Sequence, residues 1–140
     1  MSVGFLVDCF YYEVGQPDFL HSFFSSVSYN LEKNGWGSRF PKLLKQLYHD
    51  RLPYTDVPLA IEEVRVIQEE LSKLSPDKVI WDIEDLTKLP PWGTDISPMV
   101  TNLENYFATP EGETFAELLL TALSVAEVER QDLVIKNYKL

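Results

Sequence analysis

Apolar residues alternate from the start of the chain, with Val3, Phe5, Val7, Cys9 and Tyr11 on one side and Gly4, Leu6, Asp8, Phe10 and Tyr12 on the other. Both sets are largely apolar, which predicts a strand covered on both faces for much of its length. The period then changes. Pro17 suits the first turn of a helix and Asp18 its positive end. Phe19, Leu20, Phe23, Val27 and Leu31 form one apolar arc, with Asn34-Gly35 as the stop. A shorter helix is expected over residues 41 to about 49, with Leu43, Leu44 and Leu47 inward. Asp56 is placed as the N-cap of a third helix, with Pro58 just inside it. Ala60, Val64, Ile67, Leu71 and Leu74 make its inward stripe, which Ser75-Pro76-Asp77 breaks. Glu62 and Glu69 lie opposite that stripe, and Glu69 can pair with Lys73 at i, i+4.

A period of two returns at residues 79–85. Val79, Trp81 and Ile83 face one way and Ile80, Asp82 and Glu84 the other, predicting a second strand. Residues 86–111 read as a long irregular connection, with a short strand at Tyr106-Phe107-Ala108. A connection of that length is uncommon unless it packs or binds something. Residues 113 to about 130 form the fourth helix, burying Phe115, Leu118, Leu119, Ala122, Leu123 and Ala126. Residues 133–138 close the chain as a strand. The expectation is a single α+β domain over 1–140: a small β-sheet with about four α-helices packed on it. Strand order is not legible, and helices grouped between the first two strands speak against a simple βαβ alternation.

At 140 residues, 45% of them hydrophobic and 13% aromatic, the chain can bury roughly two-thirds of its unfolded surface in one core. Its net charge of −10 disfavours nucleic acid as a direct partner, because phosphate binding needs a basic footprint. An acidic surface attracts cationic partners, although it also serves solubility alone. The one cysteine, Cys9, excludes an internal disulfide and is expected to be a small buried hydrophobe. No Lys or Arg precedes Lys33, and Gly4, Asp8 and Glu13 interrupt the apolar start. Neither a signal peptide nor a membrane span is therefore expected, and the protein should act in the cytoplasm where it is made.

Candidate chemistry is sparse. Asp82 and Glu84 on one strand face would stand within about 7 Å, a separation open to acid–base work or a divalent cation. Joined by Asp95, they would suit a small metal-assisted hydrolase. Against this, no histidine follows at ligand spacing, no calcium-loop glycine pattern surrounds them, and no nucleophile is near. His21 and His49 have no motif partner, and Ser22, Ser25 and Ser26 read as ordinary helix-surface serines. Gly35-Trp36-Gly37-Ser38 lacks the Gly-Lys-Ser/Thr ending of a phosphate loop and reads as a turn that docks Trp36. No catalytic residue, metal ligand or cofactor is assigned. Trp81 is expected in the core; Trp92, after Pro90-Pro91, is either an exposed interface anchor or packed on its own loop.

Charge is distributed unevenly. Lys33, Arg39, Lys42, Lys45 and Arg51 cluster in the first half. Glu62, Glu63, Glu69, Glu70, Asp77, Asp82, Glu84 and Asp85 are then met only by Arg65, Lys73 and Lys78. Glu62, Glu69, Asp82, Glu84, Asp85, Trp92 and Asp95 are the partner-binding candidates, on acidity and one aromatic anchor.

The opening residues 1–12, the Pro17-Asp18-Phe19-Leu20-His21-Ser22-Phe23-Phe24 run and Trp36-Gly37-Ser38-Arg39-Phe40-Pro41 are followed by residues 79–85 and Pro90-Pro91-Trp92-Gly93. In this order and spacing the chain resembles the bacterial immunity protein 70 family, found beside secreted polymorphic toxins. The resemblance runs from the N-terminus to about the last helix. It implies a non-enzymatic protein that binds and neutralises a cognate toxin domain, as in contact-dependent growth inhibition. The toxin's basic character, such as a nuclease would need, is an inference from charge alone. The alternatives are the hydrolase above and an acidic adaptor domain.

Overall fold

The computed structural model describes residues 2–109 and 111–138. β1 (Ser2–Val7) and β2 (Phe10–Gly15) form an antiparallel hairpin, and β3 (Leu133–Tyr138) lies antiparallel along the other side of β1, giving the order β2-β1-β3. The opening strand is thus not continuous through Tyr12. It turns at Asp8-Cys9, where Asp8 takes a φ of 52°, a left-handed conformation that aspartate tolerates better than most residues. Cys9 consequently stands exposed at the turn and not in the core.

Val3, Phe5 and Val7 are buried on the inner face, joined by Leu133 and by Val14, the extra residue where the β1–β2 register shifts. On the outer face the Tyr11 ring covers Gly4. A Cβ there would lie 2.4 Å from the carbonyl oxygen of Tyr12 and 2.7 Å from the ring. Since the first of these is backbone, Gly4→Ala should cost about 1–3 kcal/mol of stability, measured by denaturant titration. An unchanged midpoint would show that the hairpin shifts to make room.

The helices pack on the inner face. α1 (Pro17–Leu31), α2 (Val57–Leu71) and α4 (Phe115–Glu129) bury the stripes that their periodicity predicts, among them Phe23 and Val27, Val64 and Ile67, and Leu119 and Leu123. α4 starts with a capping box: Thr114 accepts from the Glu117 N–H, and Glu117 accepts from the Thr114 N–H. The short helix after Pro41 is π-helical over Lys42–Leu47, and still buries Leu43, Leu44 and Leu47. Asp56 occupies the N-cap position of α2 but makes no capping bond; its carboxylate pairs with Lys42 at 3.7 Å. The expected pair of Glu69 with Lys73 is present at 3.5 Å. Tyr106 belongs to a one-turn helix, α3 (Leu103–Tyr106), and not to a strand; Ala108 makes only a single bridge to Thr114. The fold is a single small α+β domain.

The turn after α1 is organised by one carboxylate. Glu32, only 6% exposed, accepts from the backbone N–H groups of Gly37 at 2.9 Å, Arg39 at 3.0 Å and Phe40 at 2.9 Å. A loop that superficially resembles a phosphate cradle therefore does hold an anion, and the anion is its own glutamate. Trp36 docks as expected, donating its indole N–H to the Leu44 carbonyl at 2.8 Å.

Candidate partner-binding surface

Residues 79–85 are not a strand. Their alternation of apolar and polar residues is satisfied by α1, whose Ser22, Ser25, Ser26 and Asn30 share a face at helical spacing. Ser22 Oγ donates to the Ile80 carbonyl at 2.7 Å, the Ile80 N–H donates to Ser26 Oγ at 2.9 Å, and the Ile83 N–H donates to Ser25 Oγ at 3.2 Å. Asn30 donates to the Lys78 carbonyl at 3.0 Å. Helix side chains thus provide the bonds that a neighbouring strand would have made. The serines are buried by this contact, a role that reading them as surface residues missed. Their recurrence along the helix was the available signal.

Asp82 and Glu84 consequently do not form a pair on one strand face. The Asp82 carboxylate accepts from the Glu84 N–H at 2.9 Å, from Lys88 Nζ at 3.3 Å, and meets His21 Nε2 at 3.2 Å. His21 Nδ1 contacts the Tyr48 hydroxyl. Asp85 closes the next turn by accepting from the backbone N–H and hydroxyl of Thr87. Glu84 is exposed beside them.

Tyr48, His21 and Asp82 line up as a nucleophile, base and orienting acid would, but the electrostatics run the other way. Burial raises the Tyr48 pKa, and the negative charges of Glu84 and Asp82 raise it further, so the phenol stays protonated. The Asp82 carboxylate is occupied by donors. Its pKa is lowered, chiefly by the Glu84 N–H and then by His21 and Lys88, against an opposing effect of partial burial. Among the described residues, no group of three or more His, Cys, Asp or Glu side chains is placed to hold a metal ion.

Because the folded-state pKa of Asp82 lies below the usual aspartate value of about 3.9, its stabilisation is complete above that value. It is lost as pH falls through the lowered pKa. Tryptophan fluorescence should therefore change as pH falls below about 4, and Asp82→Asn should remove part of that step. An acid transition identical in the variant would show that Asp82 does not hold the segment.

Above this clasp the connection carries an aromatic cluster. Phe19 of α1 meets Trp81 at 6.3 Å and Trp92 at 5.6 Å between ring centroids, and the two tryptophans meet edge-on at 5.6 Å. Trp81 is half-buried here and not in the core proper. Trp92 remains 41% exposed while its indole N–H donates to the Tyr106 hydroxyl at 2.8 Å. It is both self-packed and presented. Leu86, Leu89 and Met99 are also exposed along this connection.

Asp82, Glu84, Asp85, Trp92 and Asp95 all belong to this one segment, and Asp95 shares a shallow cavity with Trp92 and Tyr106. Glu62 and Glu69 are exposed on α2 instead. Several other acids are engaged within the fold: Glu70 with Arg39, Asp132 with Arg51, and Glu63 with the N–H groups of Lys42 and Leu43. No helix among the described residues is long and apolar enough to cross a membrane.

No curated protein and no solved structure matches the chain. The family model described as immunity protein 70 matches residues 5–135 of its 140. That match takes in the hairpin from Phe5 onward, the serine face of α1, the aromatic segment and the first half of β3, and the chain belongs to the immunity protein 70 family.

Proposed function

We propose that this immunity protein neutralises its cognate toxin by occlusion, presenting the acidic and aromatic segment 77–100 to a basic face of the toxin in the cytoplasm. The observation that supports the reading is that exposed Glu84, Asp85 and Asp95 and a partly exposed Trp92 all lie on one segment of a family member. Exposed acids steer a cationic partner, and a few desolvated aromatic contacts slow its release. A nuclease is the toxin class that suits best, since its substrate-binding face must itself be basic. The chain performs no catalysis in this reading. An inhibitor needs none, and the Tyr48–His21–Asp82 arrangement keeps its phenol protonated and its carboxylate engaged.

The test is co-purification with the product of the neighbouring toxin gene, followed by rescue of growth when both are expressed. Association should slow as salt rises, because exposed charges act over about 8 Å at physiological ionic strength. Reversal of Glu84 and Asp95 to Lys should slow it more than reversal of Lys42 and Lys45; Asp85 is spared because it closes the turn at Thr87. Asp82 is left intact because it holds the segment in place. Equal effects from the two reversals would remove this segment from the interface, and failure to rescue would remove the function.

A further inference from the structure

We propose that the cleft between residues 79–81 and 86–96 is a receptor for one apolar side chain, aliphatic or aromatic, flanked by Lys or Arg on the bound toxin. This rests on the immunity reading and adds the chemistry of the contact. The cleft has a volume of about 190 Å³, and Val79, Trp81, Leu86, Leu89, Pro90 and Ile96 are among the residues that wall it. Pockets that enclose small-molecule ligands run to roughly 300–1,000 Å³, so this one suits a single side chain better than a metabolite. Asp77 and Lys88 carry the charge in its lining, which leaves little to orient a polar substrate. Leu86 and Leu89 are 56% and 65% exposed, an apolar rim that a partner would dry.

The charge of the segment that walls the cleft selects the flanks. Asp77, Asp82, Glu84, Asp85 and Asp95 belong to the same segment, against Lys78 and Lys88. Lys88 is turned onto Asp82 at 3.3 Å, so these two charges answer each other, leaving Asp77, Glu84, Asp85 and Asp95 against Lys78. A basic flank is therefore attracted and an acidic one repelled. A second copy of this chain, itself carrying −10, would bring like charge to that segment, so the occupant is the basic partner.

The direct probe is a capped Lys-Arg-Leu-Arg-Lys peptide titrated at millimolar concentration into ¹⁵N-labelled protein. Lys-Arg-Ser-Arg-Lys and Glu-Asp-Leu-Asp-Glu serve as controls. The indole N–H signals of Trp36, Trp81 and Trp92 are followed separately. The basic leucine peptide should move Trp81 in a saturable way, leave Trp36 still, and bind at least about tenfold more tightly than either control. Leu89→Ser should weaken it by a similar factor. No movement of Trp81, or equal binding of all the peptides, overturns the proposal.

The toxin separates the two readings. If the wild-type chain rescues growth but the Leu86→Ser, Leu89→Ser double variant binds the toxin unchanged, the receptor cleft is wrong and the immunity function stands. If the peptide titration succeeds while the wild-type chain rescues nothing, the cleft stands and the immunity function falls.

Discussion

Glu32→Ala should lower the free energy of unfolding by about 3–5 kcal/mol. The carboxylate is 6% exposed and accepts from the N–H groups of Gly37, Arg39 and Phe40. Charge-assisted bonds of this kind contribute about 1.5–3 kcal/mol each, and donors left buried without an acceptor cost more than the bond was worth. Gly37 and Phe40 are themselves buried, so water reaches their amides poorly. Glu32→Gln keeps the shape but turns an amide N–H₂ toward one set of donors, and roughly half the loss is expected. Glu62→Ala, on the exposed side of α2, should change little and serves as the control. Denaturant titration of the three variants checks the order. A Glu32→Ala loss below about 1 kcal/mol would show that solvent replaces the carboxylate.

Trp92→Ala should weaken toxin binding by about 2 kcal/mol or more, while lowering fold stability by less than that. The ring is 41% exposed, and what it does bury lies edge-on against Phe19 and Trp81. A partner covering the outer face would desolvate the remainder, and the prolines before it limit the entropy lost on binding. Trp92→Phe retains an aromatic face but loses the N–H that bonds Tyr106, so it reports whether that 2.8 Å contact orients the anchor. Melts and a binding titration on both variants separate the contributions. A stability loss of about 3–5 kcal/mol for Trp92→Ala would mark the ring as core and end its assignment to the interface.

Helices and the closing strand were legible because their signals are local. The stripe through Ala60, Val64, Ile67 and Leu71 and the wide apolar face of α4 each need only their own periodicity. The hairpin turn escaped notice because Asp8-Cys9 contains no glycine and both flanks are apolar, so nothing in the pattern marks a reversal. Residues 79–85 misled for the opposite reason. Val79, Trp81 and Ile83 alternate as a strand does, yet the backbone is paired with side chains of α1 more than fifty positions earlier. The candidate surface was legible in its composition, through Pro90-Pro91-Trp92-Gly93 and the run of acids. Its geometry was not. The clasp of His21 on Asp82 and the meeting of Phe19 with both tryptophans join distant parts of the chain, which no local pattern encodes.

The direction of the bonds from α1 bears on how such an inhibitor can change. Ser22, Ser25, Ser26 and Asn30 reach main-chain atoms of Lys78, Ile80 and Ile83, groups present whatever side chain is attached. These bonds, unlike the side-chain contacts of His21 with Asp82 and of Phe19 with the tryptophans, grip the segment without reading its sequence. Outward positions such as Glu84, Leu86 and Leu89 are free to be rewritten while the grip persists, much as a variable loop is on an antibody frame. Drift in a rival toxin can then be matched by substitutions confined to one stretch, with the hairpin and helices left alone. Divergence among relatives should concentrate on those outward positions, and the serine face should be the part that stays.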